Sequence, residues 1–398
     1  MERTLAYIVA FIVFGTYTIF FNFLGVLYYP IIFISIICLL FKGGVTLVWK
    51  PIMVLIFVCL LSILLNSVPS IFNSYERLLG LVMILILVSP FIVNKEFVLF
   101  RNSLFFASLL LSLSIVVLSM LFLLVGRRYS TGDYFQGITS HSMILGPLAS
   151  ISALYCIYQI IGNHYYLKKP KKKYFFFVCL FISIYCLFQT GSRSAVLALI
   201  LGVLVFLLVF YRRTSSKFIR LIMMISLITA ISFPVWEKSL DKLAQKNDNS
   251  LSEVSTRSRE RLWNNRIREF KHSPLIGIGF CSVSIDPKSR EVSANGKIET
   301  GSSWLSILSM TGLLGFCSIL FIWISLIVKC LKKFSLSPLL CALILSLQVF
   351  WSVHMYAEGY IFASGSLLAF IVWLNVGMLY VFTISKKNTL LLQRYLLL

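Results

Sequence analysis

Arginines, hydroxyls, a few carboxylates and two histidines gather in short segments of this chain, and together they suit the handling of an anionic substrate. The first segment is Thr190-Gly191-Ser192-Arg193-Ser194, a tight turn between two apolar runs. A guanidinium there can fork onto two phosphate oxygens. An arginine snorkelling to lipid headgroups would read the same way. The second segment, residues 255–270, is STRSRERLWNNRIREF, an amphipathic helix stopped by Ser273-Pro274. At about 100° per residue, Arg259 and Arg266 fall within roughly 20° of each other. They share a face with Trp263 and Phe270, while Arg261 and Arg268 point away. Arginines on an apolar face need an anion or a carboxylate as partner. A simple interfacial anchor is the other reading of this helix.

Leu275-Ile276-Gly277-Ile278-Gly279-Phe280 follows as a tight turn; its lone GxG lacks the strand–helix setting of a nucleotide loop. Next comes Glu299-Thr300-Gly301-Ser302-Ser303-Trp304, which opens an apolar helix. Ser302 or Ser303 can cap that helix, and its positive end could hold an anion. Glu299, one turn earlier, could take a proton from a bound hydroxyl; a plain cap beside a solvated carboxylate is the alternative. His141 opens another apolar run, and His354, Tyr356 and Glu358 occupy a turn between two more. Either group could line a cavity or simply sit at the surface. There is no CxxC and no HExxH, so no metal site and no cofactor is expected.

The elements that must position these residues are membrane helices. Mean hydropathy is +0.92, and 59% of residues are hydrophobic against 13% charged, a balance that excludes a soluble fold. Runs of bilayer-spanning length recur. They predict an all-α polytopic membrane protein of about twelve transmembrane helices, at 4–21, 23–41, 51–67, 78–94, 103–125, 140–162, 174–190, 194–211, 218–235, 303–328, 336–353 and 361–383. The first run lacks a cleavage site and is expected to stay as a helix. Residues 1–398 then form a single integral membrane domain, with 236–302 a large loop between spans nine and ten. The stretch from Glu237 to Ser302 holds nine of the fourteen acids and only one of the nine cysteines, Cys281, so no disulfide framework is implied.

Charge sets the orientation. With both termini cytoplasmic, the inner segments hold 20 basic residues, Arg101 and the 168–173 lysine cluster among them, against two acids, Glu2 and Glu96. The other 16 bases and 12 acids fall outside. That satisfies the positive-inside rule and turns the large loop away from the cytoplasm. The net charge of +22 is thereby explained by membrane topology, without nucleic acid as a partner. No span carries a charge near its middle, which argues against an ion-coupled transporter or a flippase.

Three of these stretches resemble a known family. TGSRSAVLALILG is similar to the TxSR element of the bacterial O-antigen ligase and O-antigen polymerase family. SRERLWNNRIREFKHSPLIGIGF resembles its arginine–tryptophan and P-l-x-G-x-G element, and SSWLSILSMTGLLG its following helix start. The resemblance covers roughly residues 187–316. It implies a glycosyltransferase at the periplasmic or extracellular face of the bacterial plasma membrane. Its donor would be an undecaprenyl-pyrophosphate-linked oligosaccharide, and its partners an acceptor glycan, the lipid bilayer, and a flippase and chain-length regulator of the same pathway. Arg193 and Arg259 become pyrophosphate contacts, with Arg266 as a third. Ligases carry a histidine where this chain has Ser302-Ser303. That departure favours a repeat-unit polymerase of O-antigen, capsule or exopolysaccharide over a ligase acting on lipid A-core. Glu299, or His141 as second choice, would be the base, with Ser302, Ser303 and Glu358 lining the site and Trp263, Trp304 and Tyr356 as stacking faces for sugars.

Overall fold

The computed structural model describes residues 2–45, 47–66, 73–127, 129–131, 134–164, 170–212, 250–282 and 301–384. They form α1 (Glu2–Gly15), a short 3-10 helix (Asn22–Leu27), α2 (Tyr28–Gly43), α3 (Lys50–Leu65), α4 (Ser74–Val88), α5 (Lys95–Leu124) and α6 (Ser142–Gly162). Then come α7 (Pro170–Gln189), α8 (Arg193–Phe210), α9 (Ser250–His272), α10 (Ser303–Lys332), α11 (Pro338–Ala357) and α12 (Leu367–Ile384). Two-residue strand pairs, Leu47–Val48 with Ile92–Val93 and Ser130–Thr131 with Tyr134–Phe135, only tie loops together. Among the described residues, eight helical segments are long and apolar enough to cross a bilayer, the short 3-10 helix and α2 counting as one (Asn22–Gly43). The protein is an all-α polytopic membrane protein.

Several expected spans change length. The first ends at Gly15, and α1, α3 and α4 have only 14, 16 and 15 residues. At about 1.5 Å per residue such helices fall short of a ~30 Å hydrocarbon core. The expected ninth span, 218–235, lies outside the described residues.

Helix packing follows membrane rules. Small residues let backbones approach: Gly377 of α12 faces the Val88 carbonyl of α4, and Gly202 of α8 faces the Ser346 carbonyl of α11. Buried serines on the helices satisfy themselves on the preceding turn, as Ser108 does on Leu104 O (2.8 Å) and Ser183 on Cys179 O (2.8 Å). With no water to bond them, hydroxyls at this depth take the nearest carbonyl. α12 is buried along nearly all its length and forms the centre of the bundle.

Helix ends alternate between two faces. At one face Lys42 pairs with Glu2 and lies 3.6 Å from Glu96, and Trp49 packs on Tyr380. There too Arg212 covers the Phe334 ring and Lys333 donates to Thr383 O. Arg101, expected in a connecting segment, is inside α5 and wholly buried. Its Nε and Nη2 donate to Leu87 O (3.0 Å) and Ile86 O (2.8 Å). The last carbonyls of α4 thus receive a cation where a helix end favours one. At the opposite face Thr18 bridges Thr139, Tyr28 Oη donates to Ser364 O (3.1 Å), and Ser303 meets Glu358.

Candidate functional site

Every described member of the expected site lies at that second face, in two groups. The first is built on α9. Its helical pattern runs five residues earlier than the sequence spacing suggests, and stops at Ser273-Pro274 as expected. Among its arginines, Arg266 is buried and Arg261 and Arg268 are exposed, which agrees with the apolar face packing on the membrane body. Arg259 lies two turns before Arg266 on the same helix.

Arg266 is occupied from within. Its Nη1 lies 2.9 Å from Glu269 Oε2 and 3.4 Å from Ser309 Oγ, and Ser309 donates to the same carboxylate at 2.7 Å. Burial lowers the pKa of the guanidinium, and the Glu269 charge opposes that shift. This geometry gives Arg266 an internal carboxylate partner: the pair holds α9 on α10, while its buried Nε has no hydrogen-bond partner. Glu269 and Ser309 were missed from sequence, although an arginine and a glutamate three residues apart on one helix are a readable pair.

The turn after α9 explains both glycine-rich stretches. α10 breaks at Gly312 (φ 62°, ψ −162°), and residues 274–278 lie against the break. Ile278 N–H donates to Ser309 O (2.8 Å), while Leu313 N–H donates to Pro274 O (2.8 Å) and Leu314 N–H to Leu275 O (3.2 Å). From α3, Ser62 Oγ donates to Met310 O (2.6 Å). The polar groups freed by the kink are paired by this elbow, as a break in a membrane helix requires. A Cβ on Gly277 would sit 2.4 Å from Met310 C, and one on Gly312 2.4 Å from Leu275 C. Only glycine permits that contact, at the positive φ both residues adopt. Cys281 ends the elbow. Burial pushes its thiol pKa up to about 12 against the pull of nearby Arg77 on α4.

The α10 entry is bound just as tightly. Ser302 is the cap, accepting from Leu305 N–H at 3.5 Å, and its hydroxyl lies 3.4 Å from Met355 O. Ser303 Oγ donates to Glu358 O (2.7 Å) and accepts from Tyr360 N–H (3.0 Å). Both serines are buried: Ser303 holds the 358–361 loop to α10, and Ser302 ties the start of α10 to Met355 near the end of α11, so neither lines an open site, contrary to expectation. Trp304 is half-buried, its Nε1 donating to Ser352 O at 2.9 Å. Trp263 donates to Gly301 O (3.1 Å) and meets Tyr356 edge-on, with ring centroids 5.4 Å apart. Tyr356 is 61% exposed, so it is the aromatic face of this group open to a ligand. Glu358 is half-buried at the end of α11. His354 is fully buried, Nδ1 3.0 Å from Tyr360 Oη, and stacks on Phe350. Glu299 lies outside the described residues.

The second group joins the starts of α6 and α8. Gly191 (φ 63°) makes the turn that places Arg193 as the first residue of α8, exposed. Gly146 of α6 packs on Thr190 and Ser192, which draws the two helix starts together. His141 caps α6, its Nδ1 accepting from Met143 N–H at 3.1 Å. In the neutral ring the proton is then on Nε2, which can donate but not accept. Among the described residues no group of three or more His, Cys, Asp or Glu could hold a metal ion.

A multi-pass helical protein with an arginine-bearing helix docked over a broken span, and a second arginine at a helix start on the same face, is thereby defined. Residues 178–320 match the family model described as O-Antigen ligase, which supports the O-antigen ligase and polymerase family. The match runs from α7 through the elbow to the upper half of α10. No curated protein matches the chain.

Proposed function

We propose that the protein polymerises polysaccharide repeat units on the outer face of a bacterial plasma membrane, using an undecaprenyl-pyrophosphate-linked oligosaccharide as donor. The observation that carries this reading is the gathering of α9, the elbow and the Arg193 turn at one face, opposite the face crowded with lysines. An acceptor hydroxyl attacks the donor's anomeric carbon, the bond from that carbon to the phosphate oxygen breaks, and undecaprenyl pyrophosphate leaves. Arg193, with Arg259, stabilises the charge that develops on the leaving group. Glu299 takes the acceptor's proton. That assignment is supported by the position of its rival: His141 holds its Nδ1 on a helix cap. His141 then serves as a donor to the substrate. Tyr356, backed by Trp263, offers a stacking face for a sugar.

Transfer to lipid A-core is the second reading, favoured by the family description itself. A deletion strain separates the two. Collapse of the polysaccharide ladder to one repeat unit identifies a polymerase, and complete loss of polymer from lipid A-core identifies a ligase. Full polymerisation by Glu299→Gln at normal protein levels removes Glu299 as the base.

A further inference from the structure

The outer segment between α5 and α6 makes a contact to which the proposed reaction gives no role. Its second short strand is Tyr134–Phe135, with Phe135 buried in the core and Tyr134 half-buried. The Tyr134 ring lies against Gly191: a Cβ on that glycine would overlap ring atoms Cδ1 and Cε1. Gly191, at φ 63°, is the joint of the turn between α7 and α8, a position where glycine by itself moves freely among conformations. On one side of the joint, Thr190 and Gly191 N–H groups donate back to α7. On the other, Ser192 caps α8 through its backbone carbonyl and makes no side-chain bond to the helix start. The joint itself is held by packing, from two directions. Gly146 of α6 sits on Thr190 and Ser192, and the Tyr134 ring sits on Gly191. Arg193 leaves the chain two residues after this joint.

We infer that Tyr134 is a positioning residue for Arg193: its ring, seated on Gly191, fixes the direction in which the start of α8 presents the guanidinium. The inference rests on the proposed role of Arg193 at the leaving group. The ring can do this because the segment that carries it is braced. Ile138 N–H donates to Ser119 Oγ of α5 (3.1 Å), Ile19 N–H donates to Ile138 O (2.8 Å), and Ser140 N–H donates to Tyr17 O (2.9 Å). Tyr134 cannot drift from Gly191 without straining bonds to α5 and to the segment after α1. A guanidinium stabilises the departing pyrophosphate only when its prongs meet the oxygens, and a misplacement of about 1 Å can cost 10²-fold in rate. The contact is made by ring carbons, so the aromatic ring and not the phenol hydroxyl carries the role. The same braced segment runs on to His141, the cap of α6.

The test is a mutant cycle, read as the initial rate of polymer formation when each full-length variant is induced in a deletion strain at matched protein levels. Tyr134→Ala should slow polymer formation by roughly 10–10²-fold, and Tyr134→Phe, which keeps the ring, should run near the parent rate. The double variant Tyr134→Ala/Arg193→Ala should be no slower than Arg193→Ala alone, because a residue that acts only through Arg193 then has nothing left to position. Effects that multiply in the double variant overturn the inference, since a merely structural role would add its own loss. A parent rate for Tyr134→Ala, or a Tyr134→Phe rate as low as that of alanine, overturns it too. The failure of the reaction itself reads differently: Arg193→Ala then matches the parent, whereas a slow Arg193→Ala beside a normal Tyr134→Ala sinks only the inference. If Tyr134→Ala lowers protein levels, Tyr134→Leu, which keeps apolar bulk without a flat ring, goes through the same cycle under the same criteria.

Discussion

At the scale of single residues, the two kinds of arginine in this protein should respond to substitution in opposite ways. Arg266 is buried against Glu269, so removing the carboxylate leaves an uncompensated charge inside the protein. Glu269→Gln should destabilise by about 3–5 kcal/mol, read as a lower Tm in detergent. The double variant Arg266→Met/Glu269→Leu should lose less than Glu269→Gln alone, because it removes both charges together. An unchanged Tm for Glu269→Gln would show that the pair does not hold α9 down. Arg193 is exposed at the first position of α8, so its loss should leave the fold within about 0.5 kcal/mol. On the proposed mechanism, Arg193→Ala should slow polymer formation about 10²–10³-fold. Lysine should not restore the rate, since a point charge cannot reproduce a two-pronged phosphate contact. Normal ladders from Arg193→Ala at normal expression would remove it from the leaving-group site.

At the scale of elements, the docking of the elbow into the break of α10 is the feature most open to attack. Gly277→Ala or Gly312→Ala drives a methyl into backbone at 2.4 Å, a clash no side-chain rotation relieves. Either change should undock residues 274–282 from α10. Cys281 reports it: in the native protein the thiol is buried, with its pKa raised to about 12, and should resist maleimide at neutral pH. In the alanine variants it should label quickly, whereas continued protection would mean the elbow tolerates the methyl. None of this docking was legible in the chain, because backbone-to-backbone contacts leave no pattern beyond the glycines themselves. The apolar runs were legible: α6 and α8 begin and end within two residues of expectation, and α12 ends within one residue of it but begins six residues late. The exceptions have physical causes. α5 begins eight residues early because Arg101, which looks like loop material, is buried as a cap on α4. Ser302 and Ser303 read as site residues because hydroxyls at a helix start suit a ligand as well as a neighbouring loop. Only packing shows that Met355 takes Ser302 and that Glu358 and Tyr360 take Ser303. Arg266 lies on the inner face of α9 that its helical spacing predicts, and Glu269, three residues on, is the partner that only packing identifies.

At the scale of the whole molecule, everything proposed about the reaction depends on which face looks outward. The described helices fix two ends. Lys42, Lys95, Arg212, Lys329, Lys332 and Lys333 cluster at one, and α9, Arg193 and Tyr356 stand at the other. Short loops rich in lysine and arginine stay cytoplasmic during insertion, and the proposed function rests on that rule placing α9 away from the cytosol. Two exposed residues test this directly, Tyr356 at the α9 end and Arg212 at the basic end. With Tyr356→Cys, a membrane-impermeant maleimide applied to intact cells, with any outer membrane opened, should label more strongly than the parent protein. With Arg212→Cys it should exceed the parent only after the plasma membrane is broken. The parent is the reference because Cys317 is exposed on α10. The reverse pattern would put Arg193 and α9 in the cytosol, on the wrong side for a lipid-linked donor already carried across the membrane, and the polymerase reading would fail with it.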